Sequence, residues 1–374
     1  MQFAELSTVK HRVRLGAPLP FNVRDADKTL LLARGQRVDS ADQLVALFDR
    51  GALVDLAELQ TAREEILKAP RQQLPKLWSR CFDRVAQTLM SQPERGYAAA
   101  VEEAAGPVQT LIERDPDLAI FQVLRQGANL DTDYGAQRSL QCAITSFLVA
   151  QRLGWPQEQI ERGFKVALTM NVSMLELQGQ LARQTEALTN EQRNALQGHP
   201  EKSVRMLQNA GITDADWLSA VLRHHEQEDG GGYPTGCTEV GELASLVRRA
   251  DVYTSKLASR ASREAMAADM AGRQMFMQDP GHPMTAALVK EFGIYPPGSY
   301  VRLATGELAV VVARGEFITA PIVACLTDAH GSPMRAPLRV DTSQRGRSVA
   351  AVVGEQGAKV RLPLERLLEL LAAA

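Results

Sequence analysis

Two adjacent histidines, followed by an acidic and glycine-rich stretch, are the part of this sequence best suited to chemistry. The run is His224-His225-Glu226, then Asp229-Gly230-Gly231-Gly232-Tyr233-Pro234. The chain has only 6 histidines in 374 residues, so a neighbouring pair is uncommon by chance. Neutral imidazoles are common metal ligands, and glycines let the backbone turn sharply beside a ligand. The run therefore predicts a metal-type pocket.

The elements around this run can bring two more candidate ligands to the same place. The periodicity predicts a helix over residues 217–226 that places both histidines beside its buried stripe. The helix before it begins at a capping box of Thr189 and Gln192 and carries His199 on its inner face. A later helical stretch carries Asp251. Three histidines and one carboxylate on neighbouring helices can converge in the core of a bundle.

Each of these residues also has a less specific interpretation. A single buried histidine is more often a hydrogen-bonded core residue than a ligand, and Asp251 alone is expected to pair with Arg248 or Arg249. The adjacent histidines followed by DGGGYP nevertheless favour a metal pocket or a former one. Tyr233 beside Pro234 is expected either to anchor a partner as an exposed, rigid aromatic ring or to pack the turn.

The run HHEQEDGGGYP resembles the HHExxDGxGYP signature of the HD-GYP family. Three more segments resemble this family in the same order: His199-Pro200, Ala250-Asp251-Val252-Tyr253 and Arg260-Ala261-Ser262-Arg263. The resemblance implies a helical, metal-dependent phosphohydrolase that cleaves cyclic di-GMP. It also implies contacts to substrate phosphate or to a partner from Arg260, Arg263, Asp229, Gly230, Gly232, Tyr233 and Pro234.

The sequence departs from this family where the defining His-Asp pair is expected. Met170 stands at the histidine and Asn171 at the aspartate, while Arg138 stands at an earlier histidine position. Asparagine lacks the charge that bridges two ions, a thioether suits Mn²⁺ or Fe²⁺ poorly, and an arginine repels a nearby cation. No intact catalytic residues are therefore expected. The residual site would hold one divalent metal, Mn²⁺ or Fe²⁺, or none, and comprises His199, His224, His225 and Asp251.

Three functions remain open at this point. The first is a degenerate HD-GYP signalling module of bacteria, which binds a diguanylate-cyclase-type protein, another regulator or cyclic di-GMP without hydrolysis. The second is an active cyclic di-GMP phosphodiesterase with a mononuclear metal site, because the three histidines are present. The third is a structural scaffold whose histidines are polar core residues. The loss of the bridging carboxylate at Asn171 favours the first.

The predicted fold is mainly α-helical: an HD-type helical bundle between a small N-terminal α+β module and a small C-terminal β module. Residues 29–33 are predicted to form a buried strand, and Ser40 is predicted to cap a short helix. A further helix is predicted over residues 158–177. The expected parts are an N-terminal α+β module at 1–60, a helical connector at 61–115, an HD-GYP-like helical domain at 116–292 and a β-rich module at 293–374.

Composition narrows the function classes. The chain is 45% hydrophobic and 23% charged, as in globular proteins, and its net charge of −2 predicts no general attraction to nucleic acid polymers or anionic membranes. The 4 cysteines lack the spacing of zinc or redox motifs, which is typical of a reducing compartment. No signal peptide or membrane-spanning run is recognisable, so a cytoplasmic protein is expected.

Overall fold

The computed structural model describes residues 3–55, 61–91, 93–124, 133–354, 358 and 360–373. The chain forms two compact units, Met1–Ala69 and Pro70–Ala374. The finer division into four parts stays a prediction. No helix in the described part of the chain is long and apolar enough to cross a membrane.

The N-terminal unit is a small antiparallel sheet with helices, as predicted. Its strands lie in the order β1-β4-β2-β3, so β3 is an edge strand. The side chain of Ser40 accepts hydrogen bonds from the backbone N–H groups of Asp42 and Gln43, which confirms the predicted cap. The elements are β1 (Phe3–Glu5), a 3-10 helix (Leu6–Arg12), β2 (Val23–Arg24), β3 (Leu30–Leu32), α1 (Ala41–Asp49), β4 (Leu53–Asp55) and α2 (Ala62–Lys68).

The predicted burial of residues 29–33 is wrong. The strand there spans Leu30–Leu32, and the Leu30 residue is 48% exposed. An edge strand in a small unit has one neighbour and little to cover it, so apolar residues alone do not guarantee burial.

The second unit is mostly helical, which confirms the predicted fold class. A 3-10 turn at Arg71–Gln73 leads into the helices. The helices are α3 (Leu74–Met90), α4 (Tyr97–Arg114), α5 (Pro116–Leu124), α6 (Tyr134–Arg152), α7 (Gln157–Thr169), α8 (Leu175–Arg183), α9 (Asn190–Asn209), α10 (Ala215–Arg223), α11 (Glu242–Leu257), α12 (Ala268–Gln278) and α13 (Pro283–Phe292).

Helix α6 is the centre of this bundle. It packs against α7, α8, α11 and α13, and its side chains are buried on nearly every face. A helix that is buried all round must satisfy any charge it carries inside the protein. This requirement matters for Arg138, which lies on the first turns of α6.

The helix predicted over residues 158–177 is two helices. Helix α7 ends at Thr169 and α8 begins at Leu175, with a turn over residues 170–174 between them. The backbone N–H of Met174 donates to the carbonyl of Asn171, a tight-turn bond that interrupts the helical pattern. The apolar periodicity continues across this turn, which is why the sequence did not predict it.

A five-stranded antiparallel sheet ends the second unit, as predicted. Its order is β8-β7-β6-β5-β9, and a short helix follows it. The side chain of Arg314 binds the carboxylates of Asp117 and Glu291, and so ties this sheet to the helices. The elements are β5 (Tyr300–Leu303), β6 (Leu308–Ala313), β7 (Ile322–Thr327), β8 (Pro333–Asp341), β9 (Val349–Val353) and α14 (Leu364–Ala372).

Candidate metal centre

Three histidine side chains converge between α9 and the end of α10. His199, on α9, is 2% exposed, and His224, directly after α10, is fully buried. His225 follows it and is partly exposed. One ring nitrogen from each of the three lies within 4.8 Å of the others. The structure thus brings together three of the four predicted ligands.

The hydrogen bonds of two of these rings fix which nitrogens face each other. Nδ1 of His199 lies 2.6 Å from the carbonyl oxygen of Leu196, and Nδ1 of His224 lies 2.6 Å from that of Val221. Each Nδ1 must carry the proton, since a carbonyl only accepts. The lone pairs are therefore on the two Nε2 atoms, which lie 3.1 Å apart.

Two lone pairs at this separation repel each other unless a cation lies between them. A metal with bonds of about 2.0–2.1 Å to imidazole nitrogen, in tetrahedral geometry, places its ligand atoms about 3.3 Å apart. The observed 3.1 Å is close to that value. The backbone carbonyls that hold both Nδ1–H groups are the outer contacts typical of metal-binding histidines. The donor set therefore fits one divalent ion.

The three histidines are neutral at physiological pH. Burial and the neighbouring His224 lower the pKa of His199 to about 3. Burial and His225 lower the pKa of His224 to about 3. Burial, His199 and the nearby Arg248 lower the pKa of His225 to about 3. Neutral imidazole is the form that binds metal, so protons do not compete for these nitrogens near neutral pH.

The helix that carries the histidine pair is shorter than predicted. Asp214 caps this helix, but α10 ends at Arg223 instead of continuing to Glu226. The His224 ring donates a hydrogen bond to the carbonyl of Val221, and the backbone N–H of Glu226 donates to the carbonyl of Arg223. The side chain thus occupies a carbonyl that the next helical turn would need, and the two histidines lie at the end of the helix.

The glycine-rich loop folds back onto the histidines. Buried Glu226 accepts hydrogen bonds from the N–H and the hydroxyl of Thr235, at 2.7 and 2.8 Å. A Cβ at Gly232 would lie 2.4 Å from Cα of Glu226 and 2.5 Å from the carbonyl oxygen of His225. Only glycine fits so close to another backbone segment.

Tyr233 packs against this turn, so its ring is not the fully exposed partner anchor that was one of the two expectations. Its ring stacks on His225, with centroids 4.6 Å apart and planes 20° apart. Its backbone N–H donates to the carbonyl of His225 at 3.2 Å. The residue stays partly exposed, as does Pro234, so a limited surface is open to a partner.

Asp251 forms an ion pair with Arg138, which the sequence did not predict. An Nη2 of Arg138 donates to Oδ1 of Asp251 at 3.0 Å and to its backbone carbonyl at 3.3 Å. The expected pairing with Arg248 or Arg249 is wrong. Arg249 instead binds Asp279 and Glu228, and Arg248 donates to Gln227.

The Arg138–Asp251 pair lies largely out of solvent. The side chains are 6% and 21% exposed. The sequence did contain a signal for it, because Arg138 is a lone charge near the start of a long buried helix. Such a charge requires a partner of opposite sign, although the sequence does not say which one.

The remaining predicted contact residues surround this centre at the surface. Asp229 is exposed and accepts a hydrogen bond from the N–H of Gly231, and Gly230 has a positive φ of 80°. Arg260 and Arg263 are exposed in the loop after α11 and both donate to Ser255. Their roles as ligand or partner contacts stay predictions.

Comparison with known proteins identifies the helical domain. Residues 123–278 match the family model described as HD domain. The cyclic di-GMP phosphodiesterase PA4108 of Pseudomonas aeruginosa is 27% identical over 233 residues, which cover 61% of this chain and 56% of that protein. The cyclic di-GMP phosphodiesterase response regulator RpfG of Xanthomonas campestris pv. campestris is 30% identical over 138 residues, 35% of each chain. These matches show an HD domain at residues 123–278 and support the resemblance of this domain to the HD-GYP family.

The relatives differ from this chain in extent. The chain spans about half the length of PA4108, at 56%, and 35% of RpfG. A solved structure, Bd1817, a HDG"Y"P protein from Bdellovibrio bacteriovorus, superposes with a TM-score of 0.51. It is 16% identical, and the match covers 77% of this chain and 98% of that one. At this identity the likeness shows the shared fold alone.

From the resemblance to the HD-GYP family, the turn over residues 170–174 is where its His-Asp pair was expected. Met170 and Asn171 are both buried there. The hydroxyl of Ser173 donates to the carbonyl of His199, at 3.1 Å, so the turn is tied to α9. In the described part of the chain, Oδ1 of Asn171 has no hydrogen-bond partner. The side chains of this turn offer one amide, one hydroxyl and two thioethers, but no carboxylate.

Proposed function

We propose that this HD-GYP protein is a regulator of cyclic di-GMP signalling that acts by binding a protein or the nucleotide, without hydrolysis. PA4108 and RpfG are both named as cyclic di-GMP phosphodiesterases. This chain keeps their family's histidine cluster but has a degenerate dinuclear site. The proposal separates binding, which the remaining groups can support, from cleavage, which they cannot.

The ion pair of Arg138 and Asp251 carries this proposal. A second divalent cation would need the Asp251 carboxylate, which a guanidinium already neutralises at 3.0 Å. Displacing it would leave a buried arginine unpaired, and breaking a buried pair costs about 3–5 kcal/mol. The guanidinium of Arg138 thus occupies the place beside Asp251 that a second metal ion would need.

Asn171 supports the same conclusion independently. Two ions a few ångströms apart need negative charge between them, and together they activate water and stabilise the leaving oxygen. An amide supplies no charge, and the turn over residues 170–174 contains no acid. A dinuclear hydrolytic centre therefore has neither its bridge nor its second set of ligands.

One metal ion fits the remaining groups. His199, His224 and His225 would hold it, and their nitrogens suit Mn²⁺, Fe²⁺ or Zn²⁺. When bound, such an ion supplies a Lewis acid that attracts a phosphate oxygen. The chain itself orients the rings through Leu196 and Val221 and covers His225 with Tyr233.

The second candidate is an active phosphodiesterase with this single ion. The close approach of the two Nε2 atoms, at 3.1 Å, favours it, because this geometry suits a metal. Purified protein incubated with Mn²⁺ or Fe²⁺ and cyclic di-GMP distinguishes the two functions. We expect no linear product by chromatography. Metal-dependent turnover that His224→Ala abolishes would establish the phosphodiesterase and refute the regulator.

We also propose that Tyr233 and Pro234 contact a diguanylate-cyclase-type partner. The ring is fixed by stacking on His225, so its exposed part presents a rigid surface. Tyr233→Ala is expected to abolish binding to a diguanylate-cyclase panel, whereas Phe317→Ala, an exposed aromatic residue in another part of the second unit, is not. Equal binding by both variants would remove Tyr233 from the interface.

A further inference from the structure

The outward side of helix α12 presents large apolar side chains to solvent. Met270 and Met277 are 56% and 70% exposed, and Phe276 is exposed as well. Arg273, Gln274 and Met277 follow Met270 by three, four and seven residues, so these four lie on one face of the helix. Phe276 extends this face on the side of Arg273, three residues away. These five residues are the α12 face.

The opposite side of α12 already packs the helix against the bundle. Ala271, Gly272 and Met275 are buried there. A Cβ at Gly272 would lie 3.7 Å from a methyl group of Val289, so α12 lies close to α13. The helix is thus apolar on both sides, a pattern typical of a helix that is covered on both sides. An exposed apolar surface of this kind is typical of a docking site.

Positive charge lies within the α12 face and at its edge. Arg273 is exposed and forms no ion pair with any residue that the structure describes. Lys256, on α11, donates to the side-chain amide of Gln274 at 2.8 Å, which brings a second cation to this face. Burial and the neighbouring Arg263 lower the pKa of Lys256, and burial and Arg260 lower the pKa of Arg263. These cations repel each other, so an anionic group beside them would relieve the repulsion.

The excess of cations limits which partner fits. Residues 256–277 contain four basic residues but only two acidic ones, Glu264 and Asp269. A second copy of this chain would bring the same excess against the α12 face, so charge disfavours self-association there. Helices that bind lipid surfaces typically carry Trp, Phe or Leu on one side and many basic residues on the other. Helix α12 has a single arginine and exposed methionines, and methionines are typical of surfaces that adapt to protein partners.

We propose that the α12 face is a docking site for an acidic amphipathic helix of a partner protein. The apolar stripe of the partner packs against Met270, Phe276 and Met277, and its carboxylates lie beside Arg273 and Lys256. This surface belongs to α12 and not to the glycine-rich loop, so the inference goes beyond the proposed function.

Two labelled model peptides test this site. Each has about 18 residues, because shorter isolated helices are marginal in water. Both carry leucines at helical spacing; one has glutamates beside the leucines, and the other has lysines at the same positions. Each peptide is titrated with the whole chain at low ionic strength, where charge attraction is least screened, and binding is measured by fluorescence anisotropy. The glutamate peptide should bind at least about tenfold more tightly than the lysine peptide.

Two variants separate the apolar contact from the charge. Met277→Gln keeps the length and the helix propensity of the side chain but makes it polar, and Arg273→Glu reverses the charge. The matched controls are Leu338→Gln and Arg335→Glu on β8, since Leu338 is 52% exposed and Arg335 is also exposed. Each α12 variant should bind the glutamate peptide about tenfold more weakly, with both controls unchanged. The urea midpoint should stay the same in all four, because the changed side chains are exposed.

Several results would overturn this site. They are no binding of the glutamate peptide, equal binding of both peptides, or losses in the β8 controls as large as those in the α12 variants. A concentration-dependent dimer in sedimentation velocity that Met277→Gln abolishes would assign the face to a second copy instead. Binding to phosphatidylglycerol vesicles that Met277→Gln abolishes would assign it to a membrane. None of these results depends on whether the protein cleaves cyclic di-GMP, so the proposed function is tested separately.

Discussion

Replacing Arg138 by methionine tests the ion pair on which the proposed function rests. Methionine keeps much of the arginine's length but removes its charge and its two hydrogen bonds to Asp251. The carboxylate would then be left in a largely buried place without a cation. The free energy of unfolding of the second unit should fall.

The size of this loss follows from the burial of the two side chains. Removing one partner of a buried pair costs about 3–5 kcal/mol. The Arg138 side chain is 6% exposed, but that of Asp251 is 21% exposed, so water can partly solvate the orphaned carboxylate. We therefore expect a loss just below this range, about 2–3 kcal/mol.

Urea denaturation followed by far-ultraviolet circular dichroism measures this loss, because the second unit contains most of the helices. Arg205→Met is the matched control, since that side chain is 70% exposed and its carboxylate partner lies 4.0 Å away. It should cost no more than about 0.5 kcal/mol.

The double variant Arg138→Met with Asp251→Asn completes the argument. If the two groups are coupled, the double variant should lose at least about 1 kcal/mol less than the sum of the single variants. Strict additivity, or a loss for Arg138→Met no larger than that of Arg205→Met, would show that the pair does not hold this site.

Three further perturbations test the surrounding structure. With metal chelated, the urea midpoint should fall as the pH is lowered from 6.5 toward 3. The unfolded chain protonates His224 in this range, whereas the buried ring, with its pKa lowered to about 3, stays neutral. The free energy of unfolding should change by about 1.4 kcal/mol per pH unit for each such proton, and His224→Gln should reduce this dependence. Gly232→Ala should lower the free energy of unfolding by about 1–3 kcal/mol, because the added methyl group clashes with backbone atoms. Gly231→Ala, whose Cβ meets only side-chain atoms of two neighbours, should lower it less. Equal losses would contradict the close approach of the two backbone segments at Gly232. Arg314→Met should lower the unfolding free energy by about 1–2 kcal/mol, because Asp117 loses its cation whereas Glu291 keeps its ion pair with Arg152. An unchanged midpoint would show that this contact does not stabilise the sheet.

Local signals in the sequence predicted much of the fold. The capping box of Thr189 and Gln192 forms as expected, because both hydrogen bonds lie within one turn. The apolar residues of α3 recur at the helical period and are buried on one face, because that period alone decides which face is covered. The helical bundle and the two small sheets followed from such patterns.

The histidine cluster and the groups around it could be predicted only in part from the sequence. The convergence of His199 with the histidine pair was expected from helix faces and from the family pattern, and the structure brings the three together. The ion pair joins Arg138 to Asp251 across 113 residues of sequence, and no local pattern encodes such a distance. The early end of α10 was not predicted for another reason. The side chain of His224 bonds to a backbone carbonyl that the next turn of the helix would otherwise use.

The number of metal ions per chain tests the central claim most directly. Protein reconstituted separately with Mn²⁺, Fe²⁺ and Zn²⁺, desalted and measured by elemental analysis, gives this number. We expect at most one ion per chain, and none after His199→Ala or His224→Ala. Two tightly held ions per chain would contradict the claim that Arg138 and Asn171 have removed the second metal position.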